Sequence, residues 1–162
     1  MNPIHYEARR LAETDALGAA LAELVPDGTT IALCGTLGAG KTRLVQAIAE
    51  CCGIARQNVV SPTFVLCQEY HGTRSIYHFD AYRLRDEEEF RQLGPDECFQ
   101  SPALVLIEWA DRVEGMLPSE RLEIHIAHGA DDTRQFEITG YGSRLEPVIH
   151  RLRERLRTGA PA

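Results

Sequence analysis

Thr29-Thr30-Ile31-Ala32-Leu33-Cys34-Gly35-Thr36-Leu37-Gly38-Ala39-Gly40-Lys41-Thr42 is the stretch from which the rest of this 162-residue chain can be read. Its first six residues form a β-branched and apolar run, the pattern of a strand buried on both faces, and the run breaks at Gly35. From Lys41 to Cys52 the apolar residues Leu44, Val45, Ile48 and Ala49 fall on one helical face, and Gly53 is a left-handed helix terminator. Between strand and helix, Gly35 to Thr42 matches G-x-x-x-x-G-K-[ST] in the context that this phosphate-binding motif requires. Glycine lets the backbone turn its N–H groups inward on phosphate oxygens, and the helix start adds the positive end of its dipole. Gly35, Thr36, Leu37, Gly38, Ala39, Gly40, Lys41 and Thr42 are therefore the expected cradle. Lys41 would reach the β- and γ-phosphates, and the Thr42 hydroxyl would be a ligand of Mg²⁺. The expected cofactors are ATP and Mg²⁺: guanine recognition through N-K-x-D needs a further lysine, and Lys41 is the only one among 17 basic residues.

Outward from this core, Leu17, Ala20, Leu21 and Leu24 follow helical spacing, with Thr14 as the expected N-cap and Pro26-Asp27-Gly28 as the stop. Phe64–Tyr70 and Ser75–Phe79 are aromatic and β-branched, and His71 to Arg74 would close them into a hairpin. Asp86 to Leu93 reads as a short helix that begins with acids and ends at Gly94. Ala103–Ile107 is apolar throughout, again a strand covered on both faces, with Glu108 at its end. Leu122, Ile124 and Ile126 alternate with polar residues, as do Gln135–Thr139, which predicts an antiparallel pair. Ser143–Arg157 aligns Leu145, Ile149, Leu152 and Leu156 on one helical stripe. The expectation is an α/β fold: a three-layer P-loop NTPase-like domain over residues 1–157, with a mixed, mainly parallel sheet and antiparallel hairpins, and a flexible tail at 158–162.

A hydrophobic content of 44% and a charged content of 25% suit one globular domain. A net charge of −7 argues against a surface that binds nucleic acid everywhere without selectivity. The start of the chain lacks a basic segment followed by an apolar run, and its longest apolar stretch, Ala103–Ile107, is too short to cross a bilayer. The expectation is a cytoplasmic protein with no membrane contact. Cys34, Cys51, Cys52, Cys67 and Cys98 lack C-x-x-C spacing and read as small buried hydrophobes.

Hydrolysis of a nucleotide needs an acid on the metal side and a group that orients water. Asp80 and Glu108 both end strands where α/β ligands gather. By strand quality Glu108 is the better metal-side acid, beside Thr42.

Five ordered blocks resemble the TsaE family, also called YjeE: Glu13-Thr14 with Leu17-Gly18, the glycine loop, Ser61-Pro62-Thr63-Phe64, His78 to Leu84, and Ile107 to Arg112. The resemblance implies the small ATPase of bacterial threonylcarbamoyladenosine tRNA modification. Such a protein docks on the TsaD–TsaB transferase complex and sustains its turnover through a weak nucleotide cycle, meeting tRNA through that complex. It also implies that Lys41, Asp80 and Glu108 are catalytic, that Trp109 and Thr14 adjoin the nucleotide, and that Ser61 and Thr63 belong to a switch-like loop. How Asp80 and Glu108 divide the metal and the water is left open. Many relatives have Asp in place of Thr36, a difference that bears on loop docking or hydrolysis. Other readings of the same cradle are a small-molecule kinase with Arg83, Arg85 and Arg91 over the transferred phosphate, and a nucleotide-gated adaptor. The arginines from Arg144 to Arg157 read either as a solvated helix face or as a contact for tRNA or an acidic partner.

Overall fold

Two short apolar runs, Thr30–Gly35 (β2) and Leu104–Glu108 (β5), pair in parallel at the centre of the molecule, and all but the last residue of β2 are buried. Neither has a polar face, so each needs a layer of helices on both sides. The computed structural model describes residues 2–36, 38–62 and 64–159. Its seven-stranded sheet has the order β1-β7-β6-β2-β5-β4-β3, where β1 is Ile4–Ala8, β3 Cys67–Tyr70, β4 Ile76–Asp80, β6 Arg121–His128 and β7 Arg134–Tyr141. The four inner strands β6, β2, β5 and β4 run parallel, while β3–β4, β6–β7 and β1–β7 pair antiparallel. This is the expected three-layer architecture with antiparallel hairpins.

Helices α1 (Leu11–Leu24), α2 (Lys41–Cys51) and α5 (Glu146–Thr158) cover one face, where Leu17, Leu21, Leu44, Ile48 and Leu152 meet Ile31, Leu33, Leu106 and Ile124. The other face is covered by α3 (Glu87–Arg91), by α4 (Pro95–Phe99) and by the 3-10 segment Ala110–Met116, with Phe79, Phe90, Val105 and Ile107 at its centre. Burying this much apolar surface is the main favourable term in folding. None of the helices among the described residues is long and apolar enough to cross a membrane.

The structure corrects several expectations. Helix α1 begins at Leu11, with Arg10 at the N-cap position, so Thr14 is an interior helical residue and only 3% exposed. No side chain caps this start; the Glu13 carboxylate instead accepts from the Arg9 N–H, one residue before the N-cap, at 2.9 Å. Strand β1 and helix α4 were not expected. The hairpin strand β3 is shorter than read, since Phe64 and Val65 lie in an exposed turn before it. Among the cysteines, only Cys34 and Cys52 are buried, and Cys51 sits on the solvent side of α2. Of the C-terminal arginines, Arg155 pairs with Glu23 at 2.9 Å and Arg153 donates to the Asn2 carbonyl at 2.7 Å, while Arg151 and Arg157 are exposed, in keeping with a solvated face. Helix α5 ends at Thr158, one residue into the expected tail, of which residues 160–162 lie outside the described residues.

Packing of α1 on α2 brings Gly18 so close to Ala47 that a β-carbon at position 18 would collide with the Ala47 side chain. Alanine favours a helix over glycine by about 1 kcal/mol, whereas overpacking costs about 1–3 kcal/mol. Gly18→Ala is expected to destabilise the fold by about 1–2 kcal/mol, read as a lower urea midpoint with an unchanged slope.

Candidate functional site

At the carboxyl edge of the parallel strands, the chain leaves β2 through Gly35 (φ +154°), Gly38 (φ +77°) and Gly40 (φ +112°), a backbone path that side-chain-bearing residues rarely follow. A β-carbon on Gly35 would stand 2.5 Å from the Ile126 carbonyl oxygen. The nearest atoms to β-carbons at Gly38 and Gly40 are His128 Nε2 at 4.0 Å and Arg134 Nε at 3.9 Å. The loop is thus closed on its sheet side and open on the side where α2 begins. That helix starts at Gly40 with no side-chain cap, leaving its first N–H groups directed at the loop. Leu37 lies outside the described residues, and Thr36 takes part through its carbonyl.

Lys41 is only 4% exposed, and its ammonium donates to the carbonyls of Gly35 at 2.7 Å and Thr36 at 2.8 Å. It also lies 4.0 Å from the centroid of the Trp109 ring. Burial pulls its pKa below the usual lysine range, and the carboxylates of Glu108, Asp111 and Asp80 partly restore it. Trp109 itself holds φ +60° and ψ +38°, a left-handed conformation that costs a non-glycine residue about 1 kcal/mol or more. In that conformation its ring packs 4.8 Å from Tyr82 and beside Lys41.

Sheet register brings the two acids together, because Asp80 and Glu108 are directly opposed on β4 and β5 and each is 2% exposed. The Thr42 hydroxyl donates to Glu108 at 2.8 Å to Oε1 and 3.1 Å to Oε2. The Asp80 carboxylate accepts from the Tyr82 N–H at 2.8 Å and from the Ser61 hydroxyl. Lys41, Thr42, Ser61, Asp80, Glu108 and Trp109 share a cavity of about 380 Å³ with the tip of the glycine loop, within the range of small-ligand clefts. Thr14 lines neither this cavity nor the wider groove beside it, and Thr63 lies outside the described residues.

The donor set suits a nucleotide with a divalent cation. Inward backbone and one ammonium match phosphate, and a hydroxyl beside a carboxylate matches a hard cation that prefers oxygen. The arginines of the kinase reading do not converge here: Arg85 pairs with Glu89 and Arg91 with Glu88, each at 3.0 Å, while Arg83 stacks on Phe64.

A family model described as "Threonylcarbamoyl adenosine biosynthesis protein TsaE" matches residues 8–136. The chain belongs to the TsaE family. It is 42% identical to the tRNA threonylcarbamoyladenosine biosynthesis protein TsaE of Bacillus subtilis, over 86% of this chain and 87% of that one. It is 35% identical to the protein of the same name from Treponema pallidum, over 81% of this chain and 96% of its relative. The crystal structure of Bacillus subtilis YdiB superposes with a TM-score of 0.80 at 32% identity, covering 95% of this chain and 96% of that one.

Three residues near the site had no role in the sequence reading. His128 and Arg134 reach over the cradle from the β6–β7 hairpin, and only the strand order β7-β6-β2 puts them there. His78 lies behind Glu108, with Nε2 at 2.6 Å from Oε2, and is fully buried. A histidine in an aromatic strand carries no local signal of such a role.

Removing the Thr42 hydroxyl leaves Glu108 short of one buried donor. Thr42→Val, which keeps the shape, is expected to cost about 1–2 kcal/mol of stability in urea titrations.

Proposed function

We propose that this chain binds ATP with Mg²⁺, hydrolyses it weakly, and through that cycle serves the TsaD–TsaB transferase complex in making threonylcarbamoyladenosine on tRNA. The observation that carries the nucleotide reading is the convergence of Lys41, Thr42, Asp80 and Glu108 on one cavity beside an uncapped helix start. Membership of a family named for this pathway supports the pathway reading. The loop N–H groups and Lys41 hold the phosphates, and Thr42 and Glu108 hold the cation. Mg²⁺, when bound, neutralises charge on the β- and γ-phosphates. Asp80 aligns the attacking water and takes its proton, a role that its bonds from the Tyr82 N–H and the Ser61 hydroxyl support by fixing the carboxylate. The Trp109 ring and Lys41, stacked at 4.0 Å, form one wall of the cavity.

Because catalysis and binding rest on different groups, variants separate them. Asp80→Asn is expected to lower single-turnover ATP hydrolysis by about 100-fold while changing ATP affinity by less than about fivefold. Lys41→Ala is expected to weaken binding at least about tenfold, since it removes a charged donor. The emission of Trp109, the sole tryptophan, reports binding in both cases because its ring lines the cavity. Full hydrolysis by the Asp80 variant removes that residue from the mechanism.

The pathway reading is tested with purified TsaB, TsaC and TsaD, by counting threonylcarbamoyladenosine formed per transferase. Several turnovers with the unmutated chain, and about one or fewer without it or with Lys41→Ala, is the expected outcome. Equal yields with and without the chain would leave a bare nucleotide-binding protein.

A further inference from the structure

On the sheet face toward α2, β4 and β5 present Ile76, His78, Leu104 and Leu106 side by side, and His78 is the one polar residue among these four. An imidazole buried among aliphatic neighbours is unfavourable unless its nitrogens are bonded, and an aliphatic residue would fill the same place without that cost. His78 meets the requirement at both ends. Nε2 is 2.6 Å from Glu108 Oε2, and Nδ1 is 3.1 Å from the Tyr70 hydroxyl. Tyr70 in turn stands 3.4 Å from the Val60 carbonyl, next to Ser61. Burial pushes the Tyr70 hydroxyl up to about 12, so it remains a donor throughout the ordinary pH range.

The contacts run diagonally across adjacent strands, from Tyr70 on β3 to His78 on β4 to Glu108 on β5, and on to Thr42 at the start of α2. Oε2 is a carboxylate oxygen and accepts, with His78 Nε2 as the donor. The two donors divide the carboxylate: His78 takes Oε2, and Thr42 lies nearer Oε1. A glutamate has three side-chain torsions, and with Thr42 alone its carboxylate could rotate away from the cavity.

We propose that His78 is a positioning residue, which locks the Glu108 carboxylate with Oε1 toward Thr42 and so builds the divalent-cation site before the cation arrives. The inference rests on the reading of Thr42 and Glu108 as cation ligands. Outer donors of this kind typically change metal affinity about 10–100-fold when removed.

The test measures Mn²⁺ binding by electron paramagnetic resonance in the presence of ADP, together with ADP affinity in the absence of any divalent cation. His78→Leu removes the donor. In His78→Gln the terminal amide reaches about as far as Nε2, and in His78→Asn it stops short of Glu108. His78→Leu and His78→Asn are expected to weaken Mn²⁺ binding by at least about tenfold, with metal-free ADP affinity within about twofold of the unmutated chain. His78→Gln is expected to recover Mn²⁺ binding to within about threefold of the unmutated chain. Circular dichroism identifies any variant that does not fold, and the Gln and Asn pair decides the question if the leucine variant is lost. Unchanged Mn²⁺ affinity in folded His78→Asn overturns the inference, as does equal loss in Gln and Asn, which would mark His78 as a packing residue. An unmutated chain without a nucleotide-dependent Mn²⁺ site defeats the ligand reading itself; a site present there and kept in every His78 variant defeats this inference alone.

Discussion

Glu108 carries a carboxylate at the end of the central parallel strand, 2% exposed, and the arrangement of the site follows from satisfying it. A carboxylate taken out of water without partners costs several kcal/mol, so such a residue survives only where donors are fixed around it. Thr42 supplies one from the first turn of α2 and His78 another from β4. These bonds tie the glycine loop, the helix behind it and two neighbouring strands to one atom group. A one-residue slip of β4 against β5 would break the His78 bond, because it sends every side chain of the strand to the opposite face.

Asp80 raises the demand further, since it lies directly opposite Glu108 in the sheet. Like charges opposed on adjacent strands repel, and the nearby ammonium of Lys41 offsets only part of this. Arg43, which also lines the cavity, is neutralised by Asp15 at 2.7 Å, so two carboxylates against one ammonium leave an excess of negative charge. A triphosphate alone adds to that excess, whereas a triphosphate with a divalent cation reduces it. The electrostatics therefore link the two proposed ligands more tightly than either contact set does alone.

The legibility of these features in the sequence follows how local their causes are. Phosphate cradling is encoded within eight residues, because positive-φ glycines, a helix start and one lysine suffice, and the strand and helix around it have unbroken apolar patterns. Asp80 and Glu108 could be singled out because each ends a strongly patterned strand. Their direct opposition required the order β2-β5-β4, which no local pattern states. The same holds for His128 and Arg134, which reach the cradle only because β6 pairs beside β2 and turns into β7. Thr14 misled for a local reason. Threonine before an apolar run is a common N-cap, but the helix already begins at Leu11, three residues earlier. Strand β1 has an alternating pattern with Ile4 and Ala8 inward, yet so short an edge strand forms only because β7 is there to pair with it.

Every polar group of the proposed catalytic set is also a structural group in the protein as it stands. Lys41 holds the carbonyls of Gly35 and Thr36, Thr42 holds Glu108, and Ser61 holds Asp80. A ligand at the cradle competes for each of these bonds, so part of its intrinsic interaction energy goes into replacing them rather than into affinity. Ser61 transmits the competition to its neighbours, because it lies on the loop that runs on to the exposed Phe64 and Val65. At the Asp80 end the partner is Ser61 on that loop, whereas the Glu108 end is also held from behind by His78 on β4. One end of the site is thus anchored within the sheet and the other to a loop, so a ligand that displaces these bonds acts on the two ends unequally.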